Sequence, residues 1–250
     1  MSKHKRPKSV ASKLDQSVHI EQRDKIKDQF RIKEKFVLTE KQKAILQTGL
    51  SKETKCVLID GIYGSSKTYL AVLMALKLVK DKKCDQVIYI RNPVESSTTG
   101  KIGFLKGDNN EKMAPYNEVF YAKIAELLEK GDADRLTKEE RLVCIPLGFT
   151  RGLSWNCKAI IIDEASSMSF DDLILLLSRC GEFTKIFVVG DSINQNDIGS
   201  KAGFRKMFDL LSDEDSKSNG VFTFELRDAS DIVRSGFLRF LMRKTGKIKE

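Results

Sequence analysis

Residues 55–69 read K-C-V-L-I-D-G-I-Y-G-S-S-K-T-Y. A short apolar run ends at Asp60, a turn of small residues follows, and the text from Lys67 to Val79 has the pattern of a helix. Gly61, Ile62, Tyr63, Gly64, Ser65, Ser66, Lys67 and Thr68 fit G-x-x-x-x-G-K-[ST] except at Ser66, where the pattern has glycine. This spacing suits a triphosphate. Successive backbone amides and the positive end of a helix converge on phosphate oxygens, a lysine neutralises the terminal phosphates, and a hydroxyl reaches Mg2+. The loop from Gly61 to Tyr69 is therefore the expected ATP site, with Lys67 as the charge-neutralising group and Thr68 as a metal ligand. A serine at position 66 costs little unless the backbone there needs a positive φ.

Around this stretch, strands and helices alternate. Expected strands are Lys55–Asp60, Gln86–Arg91, Leu142–Pro146, Ala159–Asp163, Lys185–Gly190 and Val221–Leu226. Expected helices are Lys67–Val79, Pro115–Glu129, Phe170–Arg179, Ala202–Leu211 and Ser230–Arg243. Such alternation predicts an α/β fold with a mostly parallel sheet and helices on both faces. Ligands then gather beyond the C-terminal strand ends. Thr39 and Gln42 read as a capping box opening the folded domain, and Gln42 either completes that box, reads an adenine edge, or does both. The expected division is a basic tail with a linker helix over residues 1–36 and one ATPase domain over residues 37–250. Ser212–Gly220, acidic and serine-rich, reads as an exposed loop.

Two further strand ends carry chemistry. I-I-I-D-E, residues 160–164, delivers two carboxylates: Asp163 to hold Mg2+, directly or through water, and Glu164 to orient and deprotonate the attacking water. V-V-G-D-S-I-N-Q, residues 188–195, brings Asp191 and Gln195 to the same edge, with Gln195 able to bond both the γ-phosphate and the lytic water. Arg234, on the expected last helix, and Arg151, on a long loop, are candidates for an arginine supplied to the terminal phosphate by a neighbouring subunit.

Lys and Arg outnumber Asp and Glu by 44 to 35 over the 250 residues, and about two thirds of that excess falls in the first 35. That stretch is either a solvated tail or an arm that contacts polyphosphate. The five cysteines are scattered and form no C-x-x-C pair, which argues against a disulfide framework or a zinc site and for a reducing, cytoplasmic setting. No apolar run approaches the roughly 20 residues that span a bilayer.

Taken together, G-I-Y-G-S-S-K-T-Y-L-A-V, R-N-P-V-E, G-F-L-K-G-D-N-N-E-K-M-A-P-Y, P-L-G-F-T-R-G, I-I-I-D-E-A-S, V-V-G-D-S-I-N-Q and D-I-V-R-S resemble, in order, the PhoH family of P-loop ATPases. The likeness runs from about Leu38 to Arg243, and the layout resembles the short single-domain forms of bacteria and their phages. It implies a RecA-like core, ATP hydrolysis with Mg2+, action on RNA or single-stranded DNA, and assembly into a homo-oligomeric ring, a hexamer. It also carries Asp108 and Glu111 in a family-specific loop. Ser66 and Ser166 depart from the family pattern. Two other classes compete: a non-catalytic nucleic-acid-binding or adaptor protein with a degenerate ATP site, and a small-molecule kinase, for which no residue marks an acceptor pocket.

Overall fold

The computed structural model describes residues 30–34, 36–92, 109–193 and 198–248. Six parallel strands form one sheet: β1 (Cys56–Gly61), β2 (Gln86–Arg91), β3 (Leu142–Pro146), β4 (Lys158–Asp163), β5 (Lys185–Gly190) and β6 (Val221–Leu226), in spatial order β3-β2-β4-β5-β1-β6. The helices are α1 (Glu40–Leu50), α2 (Lys67–Lys80), α3 (Asn109–Leu127), α4 (Lys130–Lys138), α5 (Phe170–Leu177), α6 (Phe204–Leu210), α7 (Glu214–Ser218) and α8 (Gly236–Lys244). Among the described residues no helix is long and apolar enough to cross a membrane.

The strands sort their side chains strictly by parity. Val57, Ile59, Val87, Tyr89, Ala159, Ile161, Phe187 and Val189 point to one face, where α1, α2, α3 and α4 complete a core. Cys56, Leu58, Ile88, Ile90, Ile160, Ile162, Ile186 and Val188 point to the other, against α5 and α6. Burial on both faces explains why the central strands read as unbroken apolar runs. α2 is itself buried from Tyr69 to Leu76, because α1 and α3 flank it while it rests on β4 and β5. That diagonal decides the site: the helix that starts at the end of β1 crosses above β5 and brings its first turn toward the tip of β4.

Several elements differ from the sequence reading. The expected helix Pro115–Glu129 begins earlier, at Asn109, and a second helix follows at Lys130, because Glu129 adopts an extended conformation as its N-cap. Residues 30–34 carry no helix. They pack on the body instead, with Phe30 in the core and the Lys33 amide donating to Leu127 O at 2.7 Å. The expected loop Ser212–Gly220 holds the short α7, capped by Asp213, which accepts from Ser216 N. The expected helix Ser230–Arg243 is broken: a 3-10 turn covers Ala229–Asp231, the chain is extended at Ile232 and at Ser235, the N-cap of α8, and the helix begins only at Gly236. Arg234 therefore sits on a linking segment, not on a helix.

The C-terminal edge of β1, β5 and β6 is held by a charged network. Asp60 and Asp191 end neighbouring strands and are fully buried. Arg227, just past β6, reaches Asp60 at 2.5 Å and Asp191 at 3.6 Å, and also donates to Ser192 Oγ at 2.9 Å. Ser192 in turn donates to Asp60 from its amide and hydroxyl at 3.0 and 2.6 Å. Removing the cation takes from Asp60 its shortest ion pair, leaving it Arg205 at 3.3 Å, and takes one contact from Asp191, a loss toward the lower end of the roughly 3–5 kcal/mol that breaking a buried pair costs. Arg227→Met should lower the melting temperature by roughly 10 °C, and adding Asp60→Asn should restore part of it; thermal unfolding followed by circular dichroism measures both.

Candidate active site

The loop after β1 is built around two glycines. A Cβ on Gly61 would lie 2.9 Å from Leu226 Cβ and Ser65 Oγ, so the strand end admits no side chain. Gly64 has φ +77, and a Cβ there would lie 2.4 Å from Leu238 Cδ2. Ser65 is buried, with its hydroxyl donating to Ile62 O at 2.8 Å. Beneath the loop, Gln42 is 1% exposed: its Nε2 donates to Ser65 O at 3.2 Å and its Oε1 accepts from Thr39 N at 3.0 Å. The structure thus shows the capping-box half of the reading for Gln42, together with a brace on the loop. Above it, Val233 N donates to Gly64 O at 3.1 Å, and Lys41 bridges Asp228 and Asp231 to fix the same segment to α1.

Ser66 precedes α2 with φ 62 and ψ 26 and makes no side-chain cap bond. The position does demand a left-handed backbone, so serine costs about 1–2 kcal/mol where glycine costs nothing. Lys67 folds its ammonium back onto Gly61 O (2.6 Å) and Ile62 O (2.9 Å). Burial pushes its pKa down, while Asp191, Glu164, Asp163 and Asp60 pull it back up.

Thr68 Oγ1 donates to both oxygens of Asp163, at 3.1 and 3.3 Å. β4 is not adjacent to β1, since β5 lies between them; α2 closes the gap. Asp163 also accepts from Tyr89 OH at 2.5 Å and from Glu164 N at 3.0 Å. Burial, and then the Asp163 charge, raise the Tyr89 pKa far above its ordinary value, so the phenol stays a donor. Glu164 is a second left-handed residue, with φ 54 and ψ 40. Its carboxylate lies 3.5 Å from Arg91, whose strand register pairs it with Asp163, and Asn92 secures the following turn by donating to Ser167 O at 2.9 Å. Of the six described non-glycine residues with positive φ, Ser66 and Glu164 are the two that border the hollow.

These groups border one hollow of about 400 Å3. Lys67, Thr68, Asp163 and Glu164 form its polar floor, Tyr63, Gly64 and Ser66 one rim, and Val233 and Arg234 the side nearest α8. Tyr69 and Phe36, in edge-to-face contact at 5.2 Å, add an aromatic wall beside Lys123 and Glu126 of α3. A larger hollow of about 630 Å3 between α3 and α4 is mostly apolar and gathers none of the loop or strand-end residues. The smaller one holds the chemistry. Arg151 is exposed on the loop after β3 and does not border the hollow. Gln195, Asp108 and the side chain of Glu111 lie outside the described residues. The sequence reading quoted Arg91 and Asn92 within R-N-P-V-E, without the roles that strand register gives them, and missed Tyr89, as well as Phe36, Lys123 and Glu126, which reach the site only through folding.

A parallel sheet with a glycine-bearing phosphate loop after β1 and an acidic pair after β4 defines a P-loop protein of the RecA-like α/β class. The family model described as PhoH-like protein matches residues 35–244, and the chain belongs to that family. A PhoH-like protein of Bacillus subtilis is 31% identical over 176 residues, covering 70% of this chain and 53% of its own length. One from Mycobacterium bovis is 31% identical over 157 residues, 62% of this chain and 44% of its own. The chain thus spans about half the length of these curated relatives. Among solved structures, the Sulfolobus solfataricus SWI2/SNF2 ATPase core in complex with dsDNA aligns with a TM-score of 0.39 at 11% identity, over 77% of this chain and 44% of that one.

Ser66→Gly should remove the left-handed penalty, offset in part by the freedom glycine has in the unfolded chain. A rise in melting temperature of about 2–4 °C is expected. Ser66→Val, branched at Cβ, should lower it; equal melting temperatures for all three proteins would contradict the backbone assignment.

Proposed function

We propose that the protein is a Mg2+-dependent ATPase that couples hydrolysis to the binding or remodelling of RNA or single-stranded DNA. The observation that carries this reading is the Thr68–Asp163 hydrogen bond at the floor of a hollow that also receives Lys67 and Glu164. In this reading the amides from Gly61 to Thr68 and the start of α2 take the phosphates, and Lys67 exchanges its two loop carbonyls for phosphate oxygens. Thr68 and Asp163 are the protein's metal ligands. Two such donors fit Mg2+, which keeps several waters and completes its shell with substrate phosphates; among the described residues no cluster of three acidic, His or Cys groups forms a closed metal cage. Bound there, the metal neutralises charge on the phosphates. Glu164, steadied by Arg91, orients the attacking water and takes its proton, and Gln195 senses the terminal phosphate.

Phe36, Tyr63 and Tyr69 offer apolar surface for the base, with Gln42 holding the loop under it. Because Arg234 borders its own chain's hollow, it serves in cis. Arg151 remains the residue for a neighbouring subunit to bring, in a homo-oligomeric ring such as a hexamer. The cytoplasm is the expected setting, and residues 37–250 the catalytic domain. The competing reading, a nucleic-acid-binding or adaptor protein with a degenerate site, draws on the strained serine at position 66 and on the basic N-terminal sequence.

Phosphate release measured without polymer, with RNA and with single-stranded DNA separates the two. Glu164→Gln should lower kcat by about 10^2 to 10^4-fold while retaining ATP binding, and Lys67→Ala should abolish release and weaken binding. Wild-type rates in both variants would show that hydrolysis, if present, occurs elsewhere.

A further inference from the structure

α8 has an inner and an outer face. Inward, Leu238 fills the space a Cβ on Gly64 would take, and Met242 joins Ile62, Ile232 and Ile248 in a small core under the phosphate loop. Arg239 pins the helix by donating to Ile232 O at 2.9 Å. Outward, Phe237 is 73% exposed and Phe240 46% exposed, one helical turn apart. Their ring centroids are 6.5 Å apart and the planes differ by 33°. Lys244 Nζ lies 5.9 Å from the Phe240 ring centroid, and Arg243 lies beside it in the last turn.

Phe237, Phe240 and Leu241, at 38% exposed, stand side by side and form an apolar strip, where other exposed rings such as Phe149 and Phe183 stand singly. Charge identifies the partner. Arg243 and Lys244 in the last turn of α8 and Lys247 just beyond it follow the rings with no acidic residue between Ile232 and Lys249 in the sequence, while Arg234 borders the hollow and Arg239 is tied to Ile232 O. An uncharged apolar partner surface gains nothing from that run, whereas a polyphosphate backbone does. Two separately presented aromatic faces within a basic strip are the elements that hold unpaired bases and their backbone, since every base can stack whatever its sequence.

We infer that the outer face of α8 is a docking surface for single-stranded polynucleotide, with bases stacked on Phe237 and Phe240 and phosphates taken by Arg243 and Lys244. The inference rests on the nucleic-acid half of the function proposed above, and it locates that half. It also supplies a route to the ATP site. A strand pressing on this helix acts through Leu238 on Gly64 and through the Val233–Gly64 hydrogen bond on the loop that holds the phosphates. Polymer-stimulated hydrolysis should therefore depend on this face, and hydrolysis without polymer should not.

The test uses the full chain and two double variants, Phe237→Ala with Phe240→Ala and Arg243→Ser with Lys244→Ser. Binding to fluorescein-labelled oligouridine and oligothymidine of equal length is read by anisotropy over a series of salt concentrations, which also separates RNA from DNA as the preferred strand. Removing the rings should raise Kd at least about ten-fold for both strands with little change in salt dependence. Removing the charges should reduce the slope of log K against log salt by about 1.4, roughly 0.7 for each lost phosphate contact. Both doubles should keep the rate of ATP hydrolysis without polymer and lose its stimulation. If the wild type binds strands and both doubles bind equally well, the surface is wrong and the proposed function stands. If the wild type binds neither strand, the nucleic-acid reading itself fails. If the doubles bind strands normally but change from oligomer to monomer in sedimentation, the face joins copies of this chain, and the inference is overturned.

Discussion

The structure turns on how one buried carboxylate is satisfied. Asp163 is 4% exposed and sits at the tip of a strand buried on both sides. A charge in that setting persists only if donors surround it. Three come from three different elements: the Thr68 hydroxyl from the first turn of α2, the Tyr89 phenol from β2, and the amide of Glu164. The loop after β1, the second strand and the turn after β4 are therefore tied to one group, and moving any of them costs that buried carboxylate a donor. A similar arrangement recurs one strand away, where Asp60 and Asp191 share Arg227. The two arrangements fix the C-terminal edge of the sheet, which borders the hollow.

Rigid in one respect, the edge is strained in another. Ser66 and Glu164 both take left-handed backbone without being glycine, one before the helix that carries Lys67 and the other next to Asp163. The penalties are small beside the burial of two apolar cores, so the fold tolerates them. What they achieve is direction: Ser66 turns the chain into α2 beneath the hollow, and Glu164 brings its carboxylate toward Arg91 instead of along the strand.

Much of this was legible in the sequence, for reasons that differ by element. The strands announced themselves because burial on both faces leaves runs such as I-I-I with no polar interruption. The loop and the acidic pair were legible because phosphate chemistry requires particular residue types at fixed spacing. Less visible was anything set by register or by long-range docking. That Arg91 meets Glu164 follows from the β2–β4 alignment, and that Phe36 walls the hollow follows from the path of the chain before α1. Apolar periodicity misled at the C-terminus: I-V-R-S-G-F-L looks helical, yet the Asp228–Asp231 capping turn and the Ser235–Gly236 start divide it. At position 66, sequence posed the question of a positive φ and only backbone geometry answered it.

The central claim is that the phosphate loop and the strand-end aspartate act as one unit on one Mg2+–ATP. A double-mutant cycle of Thr68→Ala and Asp163→Asn, with ATP affinity measured by calorimetry in the presence and absence of Mg2+, tests it most directly. Coupled groups give non-additive losses. Each single change should weaken binding about ten-fold or more with Mg2+ present, the double variant should be little worse than the poorer single, and the effect should vanish without the metal. Losses that simply add, or affinities that ignore both substitutions, would contradict the account.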